Sequence, residues 1–345
     1  MQEPREIEEG RSDSIEAKVA ALMRPETYPG HPAQITAIET HMSWVFLADH
    51  FAYKLKKPVR YEFLDFSTIA ARHHNCDEEL RLNRRLARDV YLDVVPLVLH
   101  AGGGMRIGND GEIVDWLVKM RRLPTGGTLQ DAIEKGTWSE DDIRRVAALL
   151  GHFYKSARRV EIGFAEYRER FSADIRANLA ELEKPAHGLP PGQVRRVHAA
   201  QTGFLEREAE LFDARIRERR IVEAHGDLRP EHVYPGAEPV ITDCLEFNLQ
   251  FRILDPADEL AFLAMECERL GAPAIGPLLF GVYEDVTGDR PPEGLVWFYK
   301  SVRACLRAKL ALWHLREKTV REPQKWRPLA GAYLSLADTY VHRMG

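Results

Sequence analysis

The stretch AHGDLRPEHVYPGAEPVITDCLEF, residues Ala224–Phe247, places two aspartates, Asp227 and Asp243, on either side of a predicted β-hairpin. HVY and PVIT read as strands, PGAE as the turn between them, and IVEA (221–224) as an apolar strand leading in. Pairing the strands would bring Asp227–His232 and Asp243 to one open end. His225, Glu231, His232 and Glu246 crowd the same stretch. Carboxylates gathered at one end repel each other unless cations lie between them, and oxygen ligands of this kind suit Mg²⁺ better than zinc. A carboxylate set slightly apart can act as a base toward a hydroxyl.

Working outward, the chain has 345 residues, which suggests two domains or lobes. A net charge of −5 gives no electrostatic footprint for nucleic acid. No apolar run is long enough for a membrane span. The charged N-terminus, MQEPREIEEGRSDSIEA, has no apolar core of a secretory signal, so a cytoplasmic location is expected. Cys76, Cys244, Cys267 and Cys305 lie far apart without a C-x-x-C, which argues against zinc and against a disulfide framework and leaves them as inert core residues.

Residues 1–13 are polar and expected to fray. SIEAKVAALM (14–23) reads as a helix capped by Ser14 or Asp13 and stopped by Pro25. Residues 35–57 are rich in β-branched and aromatic side chains and read as three antiparallel strands, 35–39, 43–48 and 51–57. A helix follows over 68–87, with Leu80, Leu82, Leu86 and Ala87 as its apolar face. Residues 94–123 read as a hairpin turning at GNDGE. Beyond PTGGT (124–128) helices dominate: 128–135, 139–159, 166–184, 191–220, 256–270, 273–288, 291–316 and 326–344, interrupted by the hairpin.

In this order the motifs resemble the aminoglycoside phosphotransferase-like kinases. HGD (225–227) and TDCLEF (242–247) resemble the catalytic loop and metal-binding segment of that family. FAYK (51–54) resembles its ATP-binding strand, and LDPADELAFL (254–263) the stretch that follows the metal segment. THMSWVFL, EELRLNRRL and VKMRRLP are similar to an uncharacterised bacterial branch, some members of which carry an extra P-loop kinase domain. The chain contains no G-x-x-x-x-G-K-[ST], so that domain is expected to be absent. The resemblance implies an α+β, bilobal protein-kinase-like fold with a small β-rich N-lobe (1–118), a hinge (119–124) and a larger helical C-lobe (125–345). It implies an ATP- and Mg²⁺-dependent transferase, a phosphotransferase acting on a hydroxyl of a small-molecule substrate, with no nucleic-acid or membrane partner.

Residue by residue, Asp227 matches the aspartate that orients the acceptor hydroxyl and takes its proton. Asp243 matches the metal-binding aspartate, Lys54 the phosphate-holding lysine and Ala52 the floor of the adenine site. Lys56, on the same side of the strand as Lys54, is the register alternative. Glu79 is the expected partner of the lysine, with Glu78 as competitor. ETHMS (39–43) would close over the phosphates without a glycine, leaving Ser43 and backbone N–H groups to do so. DWLVKM (115–120) would offer hinge backbone groups, with Met120 on the apolar wall. His232 stands where the family has a second metal-binding asparagine, so Glu231 or Glu246 is a candidate for the missing oxygen. Arg229 occupies a loop position often held by histidine.

Plainer readings stand beside these. His225 braces the loop. His41, His73 and His74 are surface or structural residues, and Asp255 and Asp258 cap the helix that follows. Arg303 and Arg307, spaced i, i+4, form either a salt-bridged face or a cationic wall for an anionic acceptor. Two other functions are compatible with the residues: a pseudokinase or nucleotide-sensing module, and a metal-dependent hydrolase built on His225, Asp227, His232 and Asp243.

Overall fold

The computed structural model describes residues 14–61, 64–316 and 322–345. Residues 1–13, including the alternative cap Asp13, lie outside the described residues. The chain forms two compact units: one takes the residues up to Gly127 together with Ile241–Gln250, the other Thr128–Val240 and Phe251–Gly345.

In the smaller unit, helix α1 (Ile15–Leu22) begins at Ser14, whose hydroxyl accepts the Ala17 N–H at 3.2 Å. Strands β1 (Ile35–Glu39), β2 (Ser43–Ala48) and β3 (Phe51–Lys56) then form an antiparallel meander. Alternation sends Phe46, Ala48, Tyr53 and Leu55 into a core shared with Leu22 of α1. The opposite face of β3 therefore carries Ala52, Lys54 and Lys56. A short pair, β4 (Arg60–Tyr61) and β5 (Leu64–Asp65), leads to helix α2 (Ile69–Asn83), capped by the Thr68 hydroxyl on the Ala71 N–H at 3.1 Å.

Two expectations are corrected here. Helix α2 ends at Asn83, before Leu86, and its buried face is Arg72, Cys76, Glu79, Leu82 and Asn83 rather than a leucine stripe. Charged groups can be buried on it because partners are supplied: Asp115 takes Arg72 at 2.9 Å, and the β3 lysines take Glu79. The region expected as one hairpin is three strands: β6 (Tyr91–Leu99), β7 (Met105–Ile107) and β8 (Glu112–Arg121). The sheet order is β1-β2-β3-β8-β6-β7, so the turn at Gly108–Gly111 joins strands that are not neighbours. Gly111 is required there: φ is +146°, and a Cβ would meet the Leu99 carbonyl oxygen at 2.4 Å.

The larger unit is mainly helical: α3 (Leu129–Glu134), α4 (Glu140–Ser156), α5 (Phe164–Leu182), α6 (Pro191–Arg207), α7 (Ala209–Arg217), α8 (Pro256–Arg269), α9 (Ile275–Thr287), α10 (Glu293–Trp313) and α11 (Pro323–Val341). The single helix expected over 191–220 breaks at Glu208, which separates α6 from α7. Phe171, Phe204, Phe212, Phe298 and Tyr299 form one core cluster. A second lies where α10 meets α11, and Ala304, Ala308, Ala330 and Ala337 let the two helices approach closely. Strand β9 (Val222–Glu223) does not join the hairpin. It pairs with β12 (Ile253–Leu254), while β10 (Val233–Tyr234) and β11 (Val240–Ile241) form their own two-stranded sheet. Among the described residues no helix is long and apolar enough to cross a membrane.

Candidate active site

Register settles which side chains share the polar face of the small sheet. Ala52 pairs with Leu47 and Met120, Lys54 with Val45 and Val118, and Lys56 with Ser43. Lys54 Nζ lies 2.8 Å from Glu79 Oε1 and 3.1 Å from Asp243 Oδ1. Lys56 Nζ lies 2.6 Å from Glu79 Oε2, 2.5 Å from Glu246 Oε1 and 4.9 Å from the centre of the Phe66 ring. One carboxylate thus bridges two lysines. They differ in access: the Lys54 side chain keeps 16% of its surface exposed and Lys56 none. Glu78 points away and binds Arg81 at 2.8 Å.

The charges on this face are mutually sustained. Burial would push the Lys54 ammonium down, but Asp243 and Glu79 raise it well above the usual lysine value. Burial would likewise raise Glu79, but Lys54 and Lys56 hold it below the usual carboxylate value. Each group is charged because the others are.

Asp243 and Glu246 reach this face because their segment, Ile241–Gln250, packs within the smaller unit. The Ile241 N–H donates to the Leu86 carbonyl at 3.3 Å, and the Cys244 N–H to Asn83 Oδ1 at 2.9 Å. Phe247 packs against Val59, Leu64 and Phe66. The Asp243 N–H donates to the Tyr91 hydroxyl at 3.2 Å, with Asp243 in the left-handed region at φ 64°. Asn83 and Tyr91 were missed from sequence. Neither carries a motif, and their roles arise only when the segment folds back.

Two other positions differ from expectation. Ser43 is buried, its N–H donates to Thr40 Oγ1 at 3.0 Å, and it lies opposite Lys56 rather than Lys54. Residues 115–120 lie inside β8, flanked by β3 and β6, so their backbone groups belong to the sheet. Asp115 is held by Lys18 and Arg72.

Asp227 belongs to the larger unit. Its loop is tight: Gly226 has φ +92°, and the His225 and Gly226 N–H groups donate to Glu259 Oε1 at 3.1 and 2.6 Å. Tyr154 donates to Glu259 Oε2 at 2.9 Å. Burial raises Glu259 above the usual carboxylate value despite these donors. Glu259 was overlooked beside Asp255 and Asp258, since nothing in sequence separates a helix carboxylate that braces a loop from one that caps. His225 does brace the loop, accepting the Asp227 N–H at 3.3 Å.

Arg229 and His232 surround the Asp227 carboxylate. Arg229 lies 2.9 Å from Asp227 Oδ2 and also contacts Glu231. Burial alone would raise the Asp227 carboxyl, but Arg229, with His232 and Arg307, holds it below its usual value. His232 Nδ1 donates to the Asp227 carbonyl oxygen at 2.8 Å, and its Nε2 lies 3.3 Å from an Arg229 nitrogen. The carbonyl can only accept, so Nδ1 carries the proton and Nε2 faces Arg229.

The α10 arginines are paired. Arg303 makes a two-pronged ion pair with Asp258 at 2.8 and 2.7 Å, and Arg307 binds Glu266 at 2.8 Å. Asp255 caps α8 through the Ala257 N–H at 2.9 Å and also takes Arg215 at 2.7 Å.

Among the described residues no group of three or more His, Cys, Asp or Glu side chains could hold a metal ion. Asp243, half-exposed on the lysine face, fits a different arrangement, since Mg²⁺ bound with substrate phosphates needs only one or two protein carboxylates. His232 does not fit as a ligand, with Nδ1 committed and Nε2 turned to Arg229. Glu246 is taken up by Lys56.

No protein-family model matches the chain. It is 34% identical over 297 residues to Uncharacterized protein Rv2004c of Mycobacterium tuberculosis and to Uncharacterized protein Mb2027c of Mycobacterium bovis. The match takes in 82% of this chain but only 57% of each relative, so the chain spans little more than half their length. Among solved structures it is similar to a choline/ethanolamine kinase family protein from Mesorhizobium loti (TM-score 0.52, 16% identity, 95% of this chain and 99% of that one). It is also similar to a thermostable mutant of aminoglycoside phosphotransferase APH(4)-Ia (0.52, 14%, 90% and 94%) and to aminoglycoside 2′-phosphotransferase-IIIa in its GDP complex (0.50, 13%, 89% and 93%). At these identities, the shared property is the fold.

Proposed function

We propose that this chain, which has the protein-kinase-like fold of choline kinases and aminoglycoside phosphotransferases, is a phosphotransferase that moves the γ-phosphate of ATP to a hydroxyl of a small molecule. The observation that carries the reading is Lys54, which lies between Glu79 and Asp243 on the same sheet face as Ala52. Lys54 would hold phosphate oxygens, kept charged and aimed by Glu79. Asp243 would hold Mg²⁺, which supplies neutralising charge to the transferring phosphoryl group. Asp227, an ionised carboxylate, would orient the acceptor hydroxyl and take its proton as the oxygen bonds to phosphorus and ADP leaves. The neighbours are named for choline, ethanolamine and aminoglycosides. At 16% identity or less acceptor pockets are free to differ, so the proposal extends to a small-molecule alcohol and no further.

One observation favours a second reading, nucleotide binding without transfer: Arg229 clasps the Asp227 carboxylate at 2.9 Å. Thermal unfolding with ATP, with and without Mg²⁺, on wild type and Asp243→Asn separates the two. Saturation at 100 times Kd adds roughly 2.7 kcal/mol of stability. A Mg²⁺-dependent shift lost in the variant supports the kinase. A shift indifferent to both supports the sensor, and no shift at all refutes nucleotide binding.

A further inference from the structure

A cavity of about 740 Å³ lies in the smaller unit, between the turn that joins β2 to β3, the segment after α2 and the end of β8. Arg84, Arg88 and Arg121 line it, with Asp89 as the one acid and Phe51 as an aromatic wall. Of its lining residues, alternation turns Phe51 opposite to Ala52 and Arg121 opposite to Met120, while Tyr91 pairs with Met120 and its hydroxyl reaches Asp243.

What sets these arginines apart is the nature of their partners. Arg84 donates to the carbonyl oxygens of Tyr91, at 2.9 Å, and of Leu92. Arg121 donates twice to the Asp89 carbonyl oxygen, at 3.0 and 2.7 Å. Arg88 makes no hydrogen bond or ion pair among the described residues. Carbonyls orient a guanidinium without cancelling its charge, whereas Arg72, Arg215 and Arg303 each meet a carboxylate. Three arginines against one aspartate leave the cavity positive in a chain whose net charge is −5. Two of the three are already fixed in place, so little side-chain entropy is lost when an anion binds.

We propose that this cavity is a second ligand site that takes a small molecule bearing a phosphate chain, with the guanidinium groups gripping phosphate oxygens by paired hydrogen bonds. Its volume suits a ligand of metabolite size. Phe51, 37% exposed and with the Lys119 ammonium 4.3 Å from its ring centre, supplies the apolar contact beside the charge.

The test is calorimetric titration of the full chain with inorganic pyrophosphate at low ionic strength. Wild type, Arg88→Glu and Lys54→Met are compared. Arg88 is exposed and supports no other residue, so its reversal leaves the fold intact; superimposable circular dichroism checks this, and Arg88→Ala gives a milder second variant. Expected results are binding that weakens as salt is added, at least a tenfold loss in Arg88→Glu, a smaller loss in Arg88→Ala, and less than a twofold change in Lys54→Met. The proposal is overturned by an absence of binding at millimolar pyrophosphate, or by an Arg88→Glu variant that binds as wild type does. Loss of binding in Lys54→Met alone also overturns it, because the anion would then sit on the lysine face.

Discussion

Two lysines two residues apart on β3 share one glutamate, and replacing each by methionine should give opposite phenotypes. Lys56 is fully buried between Glu79 and Glu246 and lies against Phe66. Burial pushes its ammonium down, but Glu246 and then Glu79 raise it above the usual lysine value. A raised lysine contributes stability that is complete below the unfolded pKa, about 10.4, and is lost as pH rises through the folded value. An assay at pH 7.5 therefore reads the whole effect. Methionine keeps the volume beside Phe66 but removes the charge between two carboxylates, and breaking a buried pair this way costs about 3–5 kcal/mol. Lys54→Met leaves Glu79 with Lys56 and leaves Asp243 half in water, so its cost is roughly 1 kcal/mol. Urea unfolding at pH 7.5 should show a large loss of midpoint in Lys56→Met, partial recovery in Lys56→Met/Glu246→Gln and a small loss in Lys54→Met. Nucleotide binding should instead fail in Lys54→Met. A Lys56→Met protein within about 1 kcal/mol of wild type, below the range for a broken buried pair, would refute the reasoning. So would a Lys54→Met protein that is the less stable of the two.

Asp227→Asn keeps the shape of the loop and removes the carboxylate proposed as base. Phosphate transfer should fall by about 10²–10⁴ while the thermal shift with Mg·ATP is retained, and unchanged turnover would exclude Asp227 as base. Glu181 tests acid sensitivity: burial pushes its carboxyl up, but hydrogen bonds from Lys184, His187 and Arg316 bring it down to about 2. A depressed carboxyl stabilises above its unfolded pKa of 4.5, and that stability is lost as pH falls through about 2. Glu181→Gln should therefore be less stable than wild type by about 2–3 kcal/mol at pH 7, with the gap narrowing from pH 4.5 downward in parallel urea titrations. A gap that does not change with pH would show that the loss is one of packing.

What could be read from the sequence was what repeats locally or recurs as a motif. β-branched and aromatic alternation marked β1 to β3 closely, and in the larger unit α3, α4 and α8 begin at the side-chain caps Thr128, Ser139 and Asp255. Pairings between distant segments were not legible. The turn at Gly108–Gly111 says that the chain reverses, not that β8 will pass β7 and lie against β6 and β3. Two-residue strands such as β9 and β12 carry no periodic signal at all. On α2 the apolar pattern misled, because Arg72 and Glu79 are buried by virtue of partners 43 and 25 residues away in the chain. Only its place in FAYK favours Lys54 over Lys56 in the sequence, since a period of two puts both on one face and depth alone distinguishes them.

Charge shows the limit most clearly, because a sequence lists charges but not their cancellation. Arg303 and Arg307, one turn apart on α10, read from sequence as either a salt-bridged face or a cationic wall for an anionic acceptor, and the structure shows ion pairs. Asp258 and Glu266, two turns apart on α8, meet them in cross-helix ion pairs. Each guanidinium is gripped by a carboxylate, so these arginines hold α10 against α8, while Arg307 still helps to keep the Asp227 carboxyl low. Arg84 and Arg121 lie in EELRLNRRL and VKMRRLP, stretches that carry a resemblance but no sign of an anion site, yet carbonyls hold both and the charge survives. Arg229 lies between these cases. It pairs with Asp227 Oδ2 in the structure, and a proton transfer to Asp227 of the kind proposed would be eased if that clasp loosened or turned toward phosphate oxygens. An Arg229→Ala variant would free the carboxylate, so its pKa would rise toward the ordinary range. If the clasp merely blocks the base, turnover improves; if Arg229 also meets the phosphate, turnover falls although the base is free. The pH profile separates these outcomes from simple misfolding, because only release of Asp227 moves the acid limb of the profile to higher pH.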